Sequence, residues 1–467
     1  MSRLLHRFRL VEAALPLITA AILPIGFVLT GLTQFYWPLG AGALVAVVLA
    51  YRSGFALKDL AKGAWGGMKS TLVALSILVL VGGLIGVWKA AGTVPAMVYY
   101  GLGLTSPRYL VPVAFVLALA TSMMLGTSIG TLSTIGVAIM GVAQGVGAPL
   151  PLVAGALVSG ALFGDRSSPL SGSLALNVSM TGTEQRQVMT ALLPTGVITA
   201  ALTLCGYLAL GLRLPVGTAE AGAGLRDALA AHVVISPWLL VPPVLVLALA
   251  FFRVPVRWAL GVGMAAGALL AYVVSGMDLL TSSRAWLLGY HAQTGDQALN
   301  HMLSGGGVVP MAELVILILV ASGFNGIMET TGMMSMIISR LVEDVGRPLA
   351  LVGSTMLISL LVTLVAANQA LAIIVPGRML QSAYKRAGLS ANLLSRALAD
   401  SGTVLCALIP WNLMGILGAA ALGVSVRSYA PYAFLLWLLP LVSLGKTAID
   451  EQRSVVGPAV VSSGKGN

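Results

Sequence analysis

Long apolar runs separated by short polar words fill most of the chain. They cover residues 14–32, 38–51, 72–88, 109–125, 135–146, 150–163, 188–212, 234–252, 256–274, 308–320, 349–367, 404–422 and 429–444. A helix needs about 20 apolar residues to cross a bilayer, and several of these runs fall short of that. Short runs interrupted by Gly and Pro read as discontinuous helices, whose freed carbonyls line a cavity because lipid leaves no backbone group unsatisfied. The pattern predicts an all-α polytopic membrane protein of about 10–13 membrane segments, with broken helices and re-entrant hairpins.

One polar word stands out, ALFGDRSSPLSGSLALN from Ala161 to Asn177. Asp165 lies about 15 mostly apolar residues beyond Leu150, near mid-depth, where an ionised carboxylate costs at least ~2.5 kcal/mol and is functional by default. Ser167, Ser168 and Ser171 supply hydroxyls, Gly164 and Gly172 free the backbone, and Pro169 removes a donor, so a helix break is expected here. The competing reading of such an acid is a structural ion pair or a helix N-cap.

The word has a counterpart. GLIGVWKAAG from Gly83 and GFNGIMETTG from Gly323 share three glycines at a spacing of 240 (323 minus 83). Carried forward, that spacing sets Thr127, Ser128 and Thr131 against Asn368 and Gln369, with Ser128 on Asn368 and Gly136 on Pro376. SGALFGD, ending in Asp165, matches SRALAD, ending in Asp400, at 235 (400 minus 165). Each half thus carries a polar break, an apolar run and an Asp-containing break. The divisions expected are an N-terminal membrane helix over 1–35, a first repeat over 36–212, a cytoplasmic or interfacial linker over 213–233, a second repeat over 234–446 and a polar, disordered tail over 447–467.

Charge orients the repeats. Arg3, Arg7 and Arg9 precede the first helix and Arg52, Lys58, Lys62 and Lys69 follow the second, which puts both segments in the cytoplasm. The loop at 144–149 is uncharged, whereas its counterpart at 379–395 carries Lys385 and Arg386, so equivalent loops face opposite sides, as inverted-topology repeats require. The loop at 278–301, with few basic residues, fits the outside. With 467 residues, 58% hydrophobic and 9% charged, and a mean hydropathy of +0.97, the net charge of +11 belongs to these loops and not to a nucleic-acid surface. The basic start followed by an apolar run imitates a signal peptide, but the run continues without a small-residue cleavage site and is read as a retained helix. Cys205 and Cys406 have neither metal-ligand nor redox spacing.

These features favour a secondary transporter. There is no GxxxxGK[ST] loop for ATP and no HExxH metal motif, and His6, His232, His291 and His301 are expected in loops, remote from the serines. A channel would more naturally be a symmetric oligomer of few-helix subunits.

GTSIGT with STIGVA, AGALVSGALFGDRSSPLS, FNGIMETTGM, IVPGRM and ADSGTVLCALIPWN resemble the NhaC-type Na+/H+ antiporters, a family that includes Na+-coupled lactate/malate exchangers. The likeness runs from about Pro38 to Leu444. It implies exchange of a small cation against protons or a solute, with no prosthetic group, by a multi-pass protein of the cytoplasmic (inner) membrane whose N-terminus is cytoplasmic; a homodimer is compatible with it. The implied site uses Thr127, Ser128, Thr131, Asp165, Ser167, Ser168 and Ser171 with Asn368, Gln369, Asp400, Ser401, Thr403 and Asn412. Asp165 and Asp400 would bind a monovalent cation or a proton in turn, under alternating access. Glu313, Glu329 and Arg378, with Pro169, Pro376 and Pro410, are gating or structural candidates. Two departures stand out: Gly172 and Asn368 occupy positions where members of the family carry acids. A neutral Asn lends a carbonyl oxygen to a hard cation but carries no proton.

Overall fold

The computed structural model describes residues 10–30, 34, 36–101, 107–214, 219–252, 254–334, 336, 347–366 and 368–456. The basic head with His6, Thr33 and Phe35 of the turn at 33–36, Ala367 and the tail beyond Val456 lie outside the described residues. All regular elements among these residues are helical, and the one β-bridge joins Tyr290 to Gly305.

The chain opens with α1 (Leu10–Thr30) packed on α2 (Tyr36–Arg52), then α3 (Leu57–Ser70) and α4 (Leu72–Ala91). α5 (Thr93–Gly101) and α6 (Pro107–Leu125) lead to a short α7 (Ser128–Thr131), which a π-helical turn at Leu132–Gly136 joins to α8 (Val137–Gly145). α9 (Leu150–Ser167) breaks before α10 (Gly172–Thr181), and α11 (Gln185–Arg213) is the longest helix among the described residues. α12 (Ala219–His232), α13 (Val241–Phe251), α14 (Val256–Ser275), α15 (Leu279–Leu288) and α16 (Gln297–Leu303) precede α17 (Ala312–Thr331). The second half then runs through α18 (Pro348–Ala366), α19 (Gln369–Arg386), α20 (Ala391–Ala399) and α21 (Gly402–Leu405). α22 (Leu413–Leu422), α23 (Val426–Tyr429) and α24 (Phe434–Val456) complete it. Among the described residues six helices are long and apolar enough to cross a membrane, or up to nine if each bent pair is one span, and three shorter apolar helices accompany them.

The halves pack on each other crosswise. α2 and α3 lie on α17, while α14 and α15 lie on α4. Close approach of the backbones makes this possible: a Cβ on Gly326 would stand 2.0 Å from the Gly63 carbonyl oxygen, and one on Gly86 would stand 2.2 Å from that of Ala285. Lipid tails are as apolar as Leu, so van der Waals contact between small residues, more than the hydrophobic effect, holds such helix pairs together. The segment after Arg52, expected as a basic loop, is helical as α3, with Gly63 and Gly67 against α17.

Helix caps give the repeat register. Thr127 and Asn368 are extended N-caps, and Ser171 and Asn412 are too; Gly147 and Gly388, and Gly182 and Gly423, have positive φ. Every pair is 241 apart (368 minus 127, 412 minus 171), and α6 and α18 begin and end at that same spacing. The spacing of 240 persists through the left-handed caps Gly92 and Gly332 and then shifts by one. Asn368 thus corresponds to Thr127 rather than Ser128, and Gly136 to Gly377 rather than Pro376. The matching of Asp165 to Asp400 is corrected as well, because α9 has 18 residues and α20 only 9, so Asp165 corresponds to Cys406.

Two further expectations change. Leu229 of the linker packs in one cluster with Val98, Ala292, Leu299, Met302 and Leu303, and the Arg226 Nε–H donates to the Tyr99 carbonyl at 3.1 Å. The linker and the loop at 278–301 thus share one face, so a cytoplasmic linker and an outside loop do not coexist. The expected tail from 447 is instead helical to Val456, tied down by Lys446–Asp450 at 2.7 Å and by Arg396, which donates to the buried Thr447 hydroxyl at 2.8 Å.

Candidate functional site

The breaks in the two halves meet around Asp165. α9 unwinds at Ser168 because Pro169 cannot continue the helix, and Ser171 restarts it by accepting from the Ser173 and Leu174 N–H groups. The restart folds back on Asp165: the Ser171 and Ser173 hydroxyls both donate to the Asp165 carbonyl, the latter at 2.6 Å. In α6 the helix stops at the left-handed Gly126, where a Cβ would stand 2.5 Å from the Leu170 backbone. Only glycine lets the two breaks touch there.

The buried Asp165 carboxylate takes partners from three helix starts. The Gln369 Nε2–H donates to Oδ2 at 2.9 Å, the Ser171 hydroxyl lies 3.4 Å from Oδ1, and the Ser128 hydroxyl also faces it. Ser128, Ser171 and Gln369 sit at the beginnings of α7, α10 and α19, whose positive dipole ends favour a negative charge. Gln369 Nε2 also donates to the Thr403 carbonyl at 2.8 Å, which joins the α20–α21 break to the same centre. Among the described residues no basic side chain pairs with Asp165.

Asp400 is placed differently. It is fully buried and held by Arg166, whose Nε and Nη2 each stand 2.5 Å from Oδ1. Arg166 also donates to the Leu192 carbonyl at 3.1 Å, the Thr195 hydroxyl at 2.8 Å and the Ser167 hydroxyl at 2.9 Å. Asp400 Oδ2 keeps no partner. Such a pair is electrically neutral, so Arg166 removes Asp400 from the count of free negative charges. Sequence reasoning overlooked Arg166, although a base directly beside Asp165 in an apolar segment was the available signal.

The remaining site residues divide by what their polar atoms do. Thr127, Asn368 and Asn412 spend their side-chain oxygens capping the next helix, and Asn412 Nδ2 donates to the Thr363 carbonyl at 3.2 Å. Thr131, Ser401 and Thr403 turn their hydroxyls back on the chain at Thr127, Ala397 and Leu398, so Thr403 reaches the centre through its carbonyl alone. Ser168 ties the break to α6 through the Met123 carbonyl at 2.7 Å. Ser167 serves Arg166 and does not touch Asp165. Gly172 has open space where a side chain would begin.

The other candidates lie apart from this centre. Glu313 and Pro410 line a cavity of about 590 Å³ together with Arg427. Glu329 is exposed in the last turn of α17, and the exposed Arg378 points Nε at the Met180 sulfur at 3.2 Å. The exposed Pro169 offers its carbonyl to Gln185 at 2.5 Å, and Pro376 is buried inside α19. No group of three or more His, Cys, Asp or Glu side chains suited to a metal ion occurs among the described residues.

The Na+/H+ antiporter family profile matches residues 10–212 and 216–447. A malate-2H+/Na+-lactate antiporter of Bacillus subtilis (strain 168) is 34% identical over 397 residues, covering 84% of either chain. The Na+/H+ antiporter NhaC of the same organism is 31% identical, over 87% of this chain and 90% of its own. The arginine/ornithine antiporter ArcD of Halobacterium salinarum is 31% identical, over 92% of this chain and 90% of its own.

Proposed function

Since the chain belongs to the Na+/H+ antiporter family, a family of transporters rather than enzymes, we propose that it exchanges one monovalent cation, Na+ in the first instance, for one proton at Asp165. The observation that carries this reading is the division of labour between the two buried acids. Asp400 is neutralised by Arg166, whereas Asp165 has only neutral donors around it. The centre therefore holds one uncompensated negative charge, which one Na+ or one H+ balances. Cation and proton compete for the same oxygens, and competition for a single site produces exchange when the site opens alternately to the two sides. The Asp165 carboxylate and the carbonyls freed at the breaks, that of Thr403 among them, supply the hard oxygen ligands.

The membrane arrangement follows the same reading. The two halves are inverted repeats in a multi-pass protein of the cytoplasmic membrane, with the N-terminus inside and the linker on the outer face beside the loop at 278–301. Gly172 and Asn368 are neutral and add no negative charge to the centre, which supports the one-for-one stoichiometry. The low count of free charges favours a second reading, exchange involving an organic solute, as the names of two relatives indicate for those proteins.

Purified protein in proteoliposomes tests the first reading. A sodium gradient should drive proton movement that is electrically silent, and Asp165→Asn should abolish it. Exchange at the wild-type rate in well-folded Asp165→Asn, or exchange whose direction follows an imposed membrane potential, removes the single-site scheme.

A further inference from the structure

A cavity of about 660 Å³ lies at the C-terminal end of α4, bounded by α8 and the segment 291–305, and it shares no residue with the Asp165 centre. Its charged wall is Lys89. The Lys89 ammonium donates to two backbone carbonyls, Met302 at 3.0 Å and Ser304 at 2.5 Å. An ammonium has three N–H donors, so one remains for a ligand. Both partners are neutral, no carboxylate among the described residues pairs with Lys89, and no acid lines the cavity. The positive charge is therefore uncompensated in a partly enclosed space.

The opposing wall is rigid and rich in donors. The Tyr290–Gly305 bridge and the Ser304 hydroxyl, which accepts from the Ala292 N–H at 2.9 Å, hold the segment in shape. Asn300 Oδ1 accepts from the Thr294 N–H at 2.7 Å and its hydroxyl at 2.9 Å, which fixes the amide and leaves its NH2 group to the cavity. Gln144 and His291 stand on the same lining, and the remainder is apolar, with Val137 and Met140 on the α8 side. A base is no packing requirement of the repeat, since the position equivalent to Lys89 is the exposed Glu329 (329 minus 89 is 240).

We propose that this cavity is a binding site for a small organic carboxylate, a hydroxy acid or dicarboxylate, with Lys89 and Asn300 as its anchors. A carboxylate matches the one fixed cation and the amide donors, and its short hydrocarbon body covers the apolar wall. A free phosphate would leave that wall bare. An amino acid would bring an ammonium into a lining that has no acid and already holds Lys89. The proposal deepens the reading of the chain as an antiporter by naming a solute class, yet binding itself is independent of exchange at Asp165.

Titration calorimetry of the purified full chain, with L-malate, L-lactate, L-arginine and inorganic phosphate, tests it. Malate or lactate should bind the wild type, with arginine and phosphate at least about tenfold weaker. Lys89→Gln should weaken that binding by about ten- to a hundredfold, the usual worth of a charged hydrogen bond, and Lys89→Arg should keep most of it. Asn300→Leu supplies the same readout if Lys89→Gln does not fold, and sodium-driven proton movement reports folding in either variant. Asp165→Asn should bind carboxylate normally, so loss of exchange alone does not touch the proposal. Absence of carboxylate binding in the wild type, wild-type affinity in folded Lys89→Gln and Asn300→Leu, or equal affinity for phosphate overturns it.

Discussion

Removing the Arg166 side chain as Arg166→Met tests the claim that this residue exists to neutralise Asp400. Both side chains are fully buried, and both contacts to Oδ1 are 2.5 Å. Breaking a buried pair by deleting one partner costs about 3–5 kcal/mol, because the survivor is left as an uncompensated charge. The Thr195 hydroxyl and the Leu192 carbonyl lose a charged donor as well, though each keeps a bond to the other at 3.1 Å. If these contacts are absent from the unfolding transition state, 3–5 kcal/mol raises the unfolding rate by about 10²-fold to nearly 10⁴-fold, which is read as the half-life of detergent-solubilised protein at fixed temperature. Asp400→Asn should shorten the half-life too, since Arg166 is then the unpaired charge. The decisive comparison is with the double variant Arg166→Met with Asp400→Leu, which removes both charges and should recover most of the loss. Wild-type half-lives in both single variants, or a double variant no longer-lived than either, would falsify the neutral-pair assignment and return Asp400 to the count of free charges.

Three further outcomes are expected. Asn368→Asp should fold, because Asp caps a helix as well as Asn does and a negative charge suits the N-terminus of α19; it adds a second free charge, so sodium-driven exchange should become sensitive to an imposed potential, and unchanged electroneutral exchange would contradict the charge count. Gly326→Ala should destabilise the protein by roughly 1–3 kcal/mol, since the new Cβ would stand 2.0 Å from the Gly63 carbonyl oxygen and backbone must move; a wild-type melting temperature would show that α3 and α17 are not in close contact. Cysteines at the exposed positions His232 and Gln293 should label from one side of the membrane and one at Lys385 from the other, and labelling of His232→Cys with Lys385→Cys from the same side refutes the outer-face linker.

Hydropathy and composition were sufficient for the class of fold, because a bilayer forces apolar runs into helices whatever they pack against. The helix breaks at Ser168 and before Asn368 were also legible, since Pro169 and clustered hydroxyls act on the backbone locally. Glycine spacing exposed the repeat but misplaced its register by one residue, and the Asp165–Asp400 match had to yield to the caps. Side-chain identity alone does not say which position is an N-cap and which is the first helical residue. The packing of the linker against the loop at 278–301 was not legible from charge, because Leu229 and Arg226 meet their partners through tertiary contacts. Above all, the sequence showed two acids and a base near two breaks, and only the tertiary structure chose their partners. Arg166 meets Asp400 across 234 residues and Gln369 meets Asp165 across 204. These pairings depend on the docking of one half against the other.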